Sequence, residues 1–282
     1  MRLAGAITQG SGTVNEDAYG VIARDGDVSA AWVFDGVTGI NGRNYLGFGS
    51  DAQWLVASAD AHLLDLAAQD IALADILSQL VNRLIGDWIK VQAGLSLPTT
   101  YDPPAACLVL AKRYGTSWRA LRLGDSCLLA RDHQRDRHIK ASAPDNAFDH
   151  WLSSEARQRR DAGVLDIKAL LAEFHPQLLA GRARRNTAGG YGILECSAAA
   201  LALPEYIDLG VPTELLLCTD GYYRAVDHYG LHDDAGLLDA SARSVKHVLE
   251  SLRAVEASDP ECLRYLRFKP ADDATAVMLS AS

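Results

Sequence analysis

Aspartates stand at the edges of four apolar, strand-like runs: Asp35 after AAWVF, Asp125 after ALRLG, Asp220 after ELLLCT, and Asp272 with Asp273 before ATAVML. A further acidic pair, Glu16 and Asp17 in TVNEDAYGVI, precedes another apolar run near the N-terminus. A carboxylate at the mouth of a buried strand carries a large desolvation penalty unless a cation or hydrogen-bond donor compensates it. Any one of these positions reads most simply as a turn or a helix cap, since Asp-Gly is a common hairpin signal and Asp caps helices. Repetition changes the weighing, because several strand-end carboxylates converge if their strands neighbour one another in a sheet. Oxygen donors without a matching His or Cys cluster suit a hard divalent ion such as Mg²⁺ or Mn²⁺. Two such ions close together hold and acidify a water and neutralise phosphate oxygens, which is the chemistry of phosphate-ester hydrolysis.

The elements that must position these groups are legible as runs. Helical periodicity is clearest over Ala72 to Gln92, where Leu77, Leu80, Val81, Leu84, Ile85, Trp88 and Ile89 step by three and four. SDAQWLVASADAHLLDL precedes it with a Ser-Asp start signal, and Leu238, Ala242, Val245, Leu249 and Leu252 form a third stripe. Strands are expected in SAAWVFDG, ELLLCTDG and ATAVMLS, and AACLVLAKRYGTSWRALRLGDSCLLAR reads as a hairpin of two strands about Tyr-Gly-Thr-Ser. Strands and helix pairs mix without regular alternation, which argues against a doubly wound parallel sheet. Residues 131–190 are rich in charge and poor in strand signal, and read as an insertion or flap covering a sheet edge within one domain of residues 1–282.

With 282 residues, 49% of them hydrophobic, the chain has enough apolar material for a substantial core. The balance of 27 basic against 36 acidic residues, net −9, argues against general attraction to nucleic acid or anionic membrane. No run approaches the roughly 18 apolar residues needed to cross a bilayer, and the N-terminus lacks a signal-like apolar stretch, so a cytoplasmic protein is expected. Cys107, Cys127, Cys196, Cys218 and Cys262 are widely spaced with no C-x-x-C pair, and read as buried thiols instead of zinc ligands.

NEDAYG, VFDGVTG, LRLGDSCLL, CTDGYYRAVD and DDATAVML occur in the order of the signature motifs of metal-dependent protein phosphatases of the type 2C family, which the chain resembles from Ala6 to Leu279. The resemblance is weakest at 131–190 and again at 51–100. It implies an α+β fold, a four-layer α-β-β-α sandwich of two antiparallel sheets with a helix pair outside each; the helices read at about 50–92 and 236–256 fit those outer layers. It implies that Asp35 bridges two metals with the Gly36 carbonyl beside it, that Asp220 and Asp272 hold the first metal, and that Glu16 and Asp17 hold the second, partly through water. Asp125 matches the position that helps Asp220 bind a weaker third ion in several members. Asp273 stands where many members carry Asn and is expected to support the ligands from behind. Asp35 and Asp220 are thereby the residues expected to carry catalysis, with Mn²⁺ or Mg²⁺ as cofactor.

One departure concerns phosphate recognition. Many members place an arginine five residues before the aspartate of the Glu-Asp pair; here that position is Gly12, and TQGSGTVNED contains no basic residue. A Gly-rich turn presents backbone N–H groups to an anion, although a flexible loop is the simpler reading. Arg43 and Arg184 rank first as replacement phosphate ligands, with Arg182, Arg185 and Arg224 behind them. His62, His133, His138, His150 and His175 read as surface or capping residues. The function these features point to is serine/threonine protein phosphatase activity on a phosphoprotein, with a serine/threonine kinase as partner. The alternatives are a non-catalytic phosphoprotein- or partner-binding module of the same fold and a small-molecule phosphatase.

Overall fold

The computed structural model describes residues 1–132, 137–141, 154, 155, 157–159, 163 and 167–281. Strand alternation sets its layers. In β3 (Asp27–Val37), Ala30, Trp32 and Phe34 point to one face and Ala31 and Val33 to the other, and all are fully buried, so both faces are covered. β3 lies in an antiparallel sheet of order β2-β3-β4-β5-β9, formed with β2 (Ala18–Arg24), β4 (Ala105–Tyr114), β5 (Ser117–Leu123) and β9 (Glu205–Gly210); the short β8 (Leu194–Glu195) pairs with β4. A second antiparallel sheet runs β1-β11-β10-β6-β7, from β1 (Arg2–Gln9), β11 (Ala274–Ser280), β10 (Glu214–Cys218), β6 (Cys127–Asp132) and β7 (Arg137–Ala141).

The two sheets meet through aliphatic side chains, among them Ala31, Val33, Val109, Ala111, Ala130, Val277 and Leu217. Outside the first sheet, α1 (Asp51–Leu66) and α2 (Leu73–Gln92) pack Leu55, Leu63, Leu77, Leu80 and Leu84 against Trp32 and Phe34. Outside the second, α4 (Asp220–Asp227) and α5 (Asp234–Ala257) bring Tyr222, Leu238, Val245, Leu249 and Leu252 onto Leu216, Ala276 and Met278. This is the α-β-β-α sandwich expected. α1 starts where its signal stands: Ser50 accepts the Gln53 N–H at 3.0 Å. α5 is kinked at Ser244, whose extended backbone breaks the helix and whose Oγ accepts the His247 N–H at 3.2 Å to start it again.

Several expectations are corrected. The run from Ala105 to Asp132 is three strands, because Gly124 to Ser126 carries the chain out of one sheet and into the other. β1, β9 and α4 had no clear signal; β1 and β9 pair with strands distant in sequence, and α4 is only eight residues long. Within 131–190, β7 forms an edge of the second sheet, and α3 (Ile167–Arg182) buries Phe174 beside Leu178, Leu266 and Phe268. His133 and His150 lie outside the described residues. His62 bonds Asp87 at 2.6 Å between α1 and α2, while His138 and His175 are exposed.

Candidate active site

The acidic residues are placed at one end of the sandwich by both sheets, not by neighbours in one. Glu16 and Asp17 immediately precede β2 and Asp35 lies near the end of β3; Asp220 follows β10, and Asp272 and Asp273 precede β11. Asp125 sits at the crossing between β5 and β6, where it accepts a hydrogen bond from Cys107 Sγ at 3.0 Å. Asp35-Gly36 and Asp220-Gly221, unlike Asp25-Gly26 between β2 and β3, are not hairpin turns. A Cβ at Gly36 would meet the Glu16 carbonyl oxygen at 2.7 Å, and one at Gly221 would meet the Asp273 carbonyl oxygen at 1.9 Å. Glycine at these positions lets the acidic segments pass close enough to share a site.

Glu16, Asp17 and Asp273 are each held by an identifiable donor. Thr38 Oγ1 donates to Glu16 Oε2 at 2.6 Å, and Thr219 Oγ1 donates to Asp17 Oδ2 at 2.9 Å. Asp273 supports the others from behind: Oδ1 accepts from Ser11 N (2.7 Å) and Ser11 Oγ (2.9 Å), and Oδ2 from Glu16 N (2.7 Å). The loop at Gly12 thus offers two N–H groups to an anion, and the anion is this chain's own Asp273.

Burial, then the neighbouring Asp220, Asp17 and Asp125, pushes the Asp35 carboxyl well above the usual range, and Asp35 shares a hydrogen bond with Asp220. Asp220 itself is held low: burial acts against ionisation, but the Arg224 charge, the bond from Asp35, Lys269 and the Gly221 N–H outweigh it. Asp17 is pushed up to about 8 by burial, with Asp220 and Asp273 adding to it against the hydroxyls of Thr219 and Thr275. Burial also raises Asp272, helped by Asp220 and opposed by Arg224 and Lys269.

These observations test whether the residues suit a divalent cation. Asp17 Oδ1 is buried without a hydrogen-bond partner among the described residues, and Asp35 and Asp220 face each other with a repulsion that a cation would relieve. With oxygen donors only, the set fits Mg²⁺ or Mn²⁺. Among the described residues, however, no group of three or more His, Cys, Asp or Glu side chains is already gathered as a metal site. The carboxylates are shared out among internal partners instead, and Asp272 most completely. Its Oδ2 receives Arg224 Nη2 at 2.5 Å, and its Oδ1 is paired with Lys269 Nζ.

A cleft of about 590 Å³ opens beside the cluster, lined by Ser11, Gly12, Glu16, Thr38, Arg43 and Lys269 among others. Arg43 is exposed there, its guanidinium 4.5 Å above the Tyr45 ring. Arg184 does not line it; its Nη2 donates to Gly189 O at 2.7 Å within its own turn. Arg182 and Arg185 both pair with Asp102, and Arg182 also reaches Thr38 O at 2.5 Å. The sequence reading missed Lys269, Thr38 and Thr219. The first stands three residues before Asp272 and the last directly before Asp220, so their spacing to the acidic motifs was the available signal.

A model of the family described as Protein phosphatase 2C matches residues 4–263. The chain belongs to the protein phosphatase 2C family. In fold this family member is similar to the Mycobacterium tuberculosis serine/threonine phosphatase PstP/Ppp, with 17% identity, 99% of this chain and 97% of that one covered, and a TM-score of 0.56. It is similar to Stp1 from Staphylococcus aureus at 13% identity, with 100% and 98% covered and a TM-score of 0.54. The PstP catalytic domain solved in complex with two manganese ions gives 16% identity, 97% and 95% covered and a TM-score of 0.53. No curated protein matches the sequence. Among the described residues, no helix is long and apolar enough to cross a membrane.

Proposed function

We propose that this protein phosphatase 2C member hydrolyses phosphoserine and phosphothreonine in proteins, with Mn²⁺ or Mg²⁺ held by Asp17, Asp35 and Asp220. The observation that carries the reading is Asp17 Oδ1, a buried carboxylate oxygen with no hydrogen-bond partner among the described residues, near the facing Asp35 and Asp220. A bound divalent ion supplies a more acidic water and charge neutralisation at phosphate. The chain's part is orientation and proton balance. Thr219 and Thr38 fix the rotation of Asp17 and Glu16, Asp273 holds the loop that carries them, and Asp35 would hold a cation in its ionised form. The Gly36 carbonyl and Asp125 stand beside Asp35 as further oxygen donors. Arg43 and Lys269 give the cleft the positive charge that Gly12 does not.

A phosphoprotein substrate implies a serine/threonine kinase that makes it. Two other readings retain support: the capping of Asp272 by internal cations favours a non-catalytic phosphoprotein-binding module, and the altered phosphate side favours a small-molecule substrate. Rates on phosphothreonine peptides and on small phosphate monoesters, each with Mn²⁺, separate the three. The proposal expects turnover with the peptide preferred at least tenfold in kcat/KM. Preference for the small ester supports the metabolite reading, and peptide binding without turnover supports the module.

A further inference from the structure

Asp272 is the one acidic residue of the cluster whose two oxygens each meet a cation from this chain. Arg224 Nη2 lies 2.5 Å from Asp272 Oδ2 and 3.8 Å from Asp220 Oδ2, so a single nitrogen stands between the two carboxylates. Lys269 Nζ takes the other Asp272 oxygen. The arrangement is built in at several levels. Arg224 projects from α4 one helical turn beyond Asp220, and this i,i+4 spacing keeps its guanidinium over that carboxylate. Arg224 Nη1 is buried with no hydrogen-bond partner among the described residues, so the guanidinium is held in the interior by its charge contacts. The backbone of Asp272 is fixed independently, because Arg253 Nη2 donates to its carbonyl at 2.7 Å while Arg253 Nη1 pairs with the buried Glu256 at 2.7 Å. Lys269 is carried by the segment whose Leu266 and Phe268 pack on Phe174 of α3.

We propose that Arg224 and Lys269 replace one divalent ion between Asp220 and Asp272, so that the centre takes a single metal, against Asp17, Asp35 and Asp220. This rests on the metal-binding reading above and departs from the two ions per site implied by the family resemblance. A guanidinium and an ammonium offer only N–H donors, so at this position the chain supplies charge to a phosphate without a site for a second metal-held water.

The test is Mn²⁺ binding by the full chain, read by calorimetry and by electron paramagnetic resonance, with no dependence on turnover. The wild type is expected to bind one Mn²⁺ and give the six-line spectrum of an isolated ion. The double variant Arg224→Gln/Lys269→Gln should bind two and show spin–spin coupling, and adding Asp272→Asn should return it to one. Two ions in the wild type, bound as tightly as in the double variant, overturn this inference and leave the metal reading standing. No Mn²⁺ bound by either form overturns both. Circular dichroism establishes that the variants are folded; if the double variant is not, the wild-type stoichiometry and spectrum still decide.

Discussion

Thr219 joins two of the acidic segments through one hydroxyl. It is fully buried, donates to Asp17 Oδ2 at 2.9 Å and accepts the Thr275 N–H at 2.9 Å, so it ties the entrance of β2 to that of β11. Valine has nearly the same shape and neither hydrogen bond. Thr219→Val should therefore lower stability by about 2 kcal/mol, because it strands a buried carboxylate oxygen and a backbone donor, whereas Thr219→Ser should recover most of the loss. Urea unfolding of the metal-free protein measures both. The acidic residues themselves were legible, since each stands at an apolar run's edge, but their partners were not. The place of Thr219 directly before Asp220 marked it only as near the site; its bond to Asp17 needed the fold.

At the scale of elements, long periodic segments were read well and short ones poorly. α2 covers nearly the stretch expected from its apolar stripe, while α4, an eight-residue helix, is stabilised by burial of Tyr222 and Ala225 and leaves too little sequence for a period to show. The three-strand run was misread for a related reason: Gly124, with φ +84, turns the chain between sheets, and a sequence pattern registers a turn without saying where it leads. After α5, the chain is anchored by Asp259. Burial works to raise its carboxyl, but the N–H groups of Tyr265 and Arg264, the Arg267 guanidinium and the Leu263 N–H hold it far below the usual range. A carboxylate depressed in the folded state stabilises above its unfolded value of about 3.9 and loses that contribution as pH falls through the folded value. Acid unfolding should accordingly steepen below about pH 4, and Asp259→Asn should flatten that limb while lowering stability at pH 7. Stability measured against pH for both proteins reads this directly.

For the whole molecule, function depends on two sheets stacked so that their ends coincide. Sheet pairing brings Asp220 and Asp272 together on one side and Glu16, Asp17 and Asp35 on the other, and the inter-sheet layer of alanines, valines and leucines fixes the distance between the sets. Motif order in the sequence was enough to anticipate this architecture. It was not enough to anticipate that Arg224 and Lys269 neutralise Asp272, or that Arg184 folds back onto Gly189, because such contacts depend on side-chain reach across elements. The measurement that bears most directly on the assigned chemistry is hydrolysis of an aryl phosphate with and without Mn²⁺, comparing the wild type with Asp35→Asn, which removes the carboxylate while nearly keeping its volume. The account predicts Mn²⁺-dependent turnover in the wild type and a loss of at least 100-fold in the variant, about 3 kcal/mol of transition-state stabilisation. A wild type that binds Mn²⁺ without turnover, or a variant as active as the wild type, would contradict it.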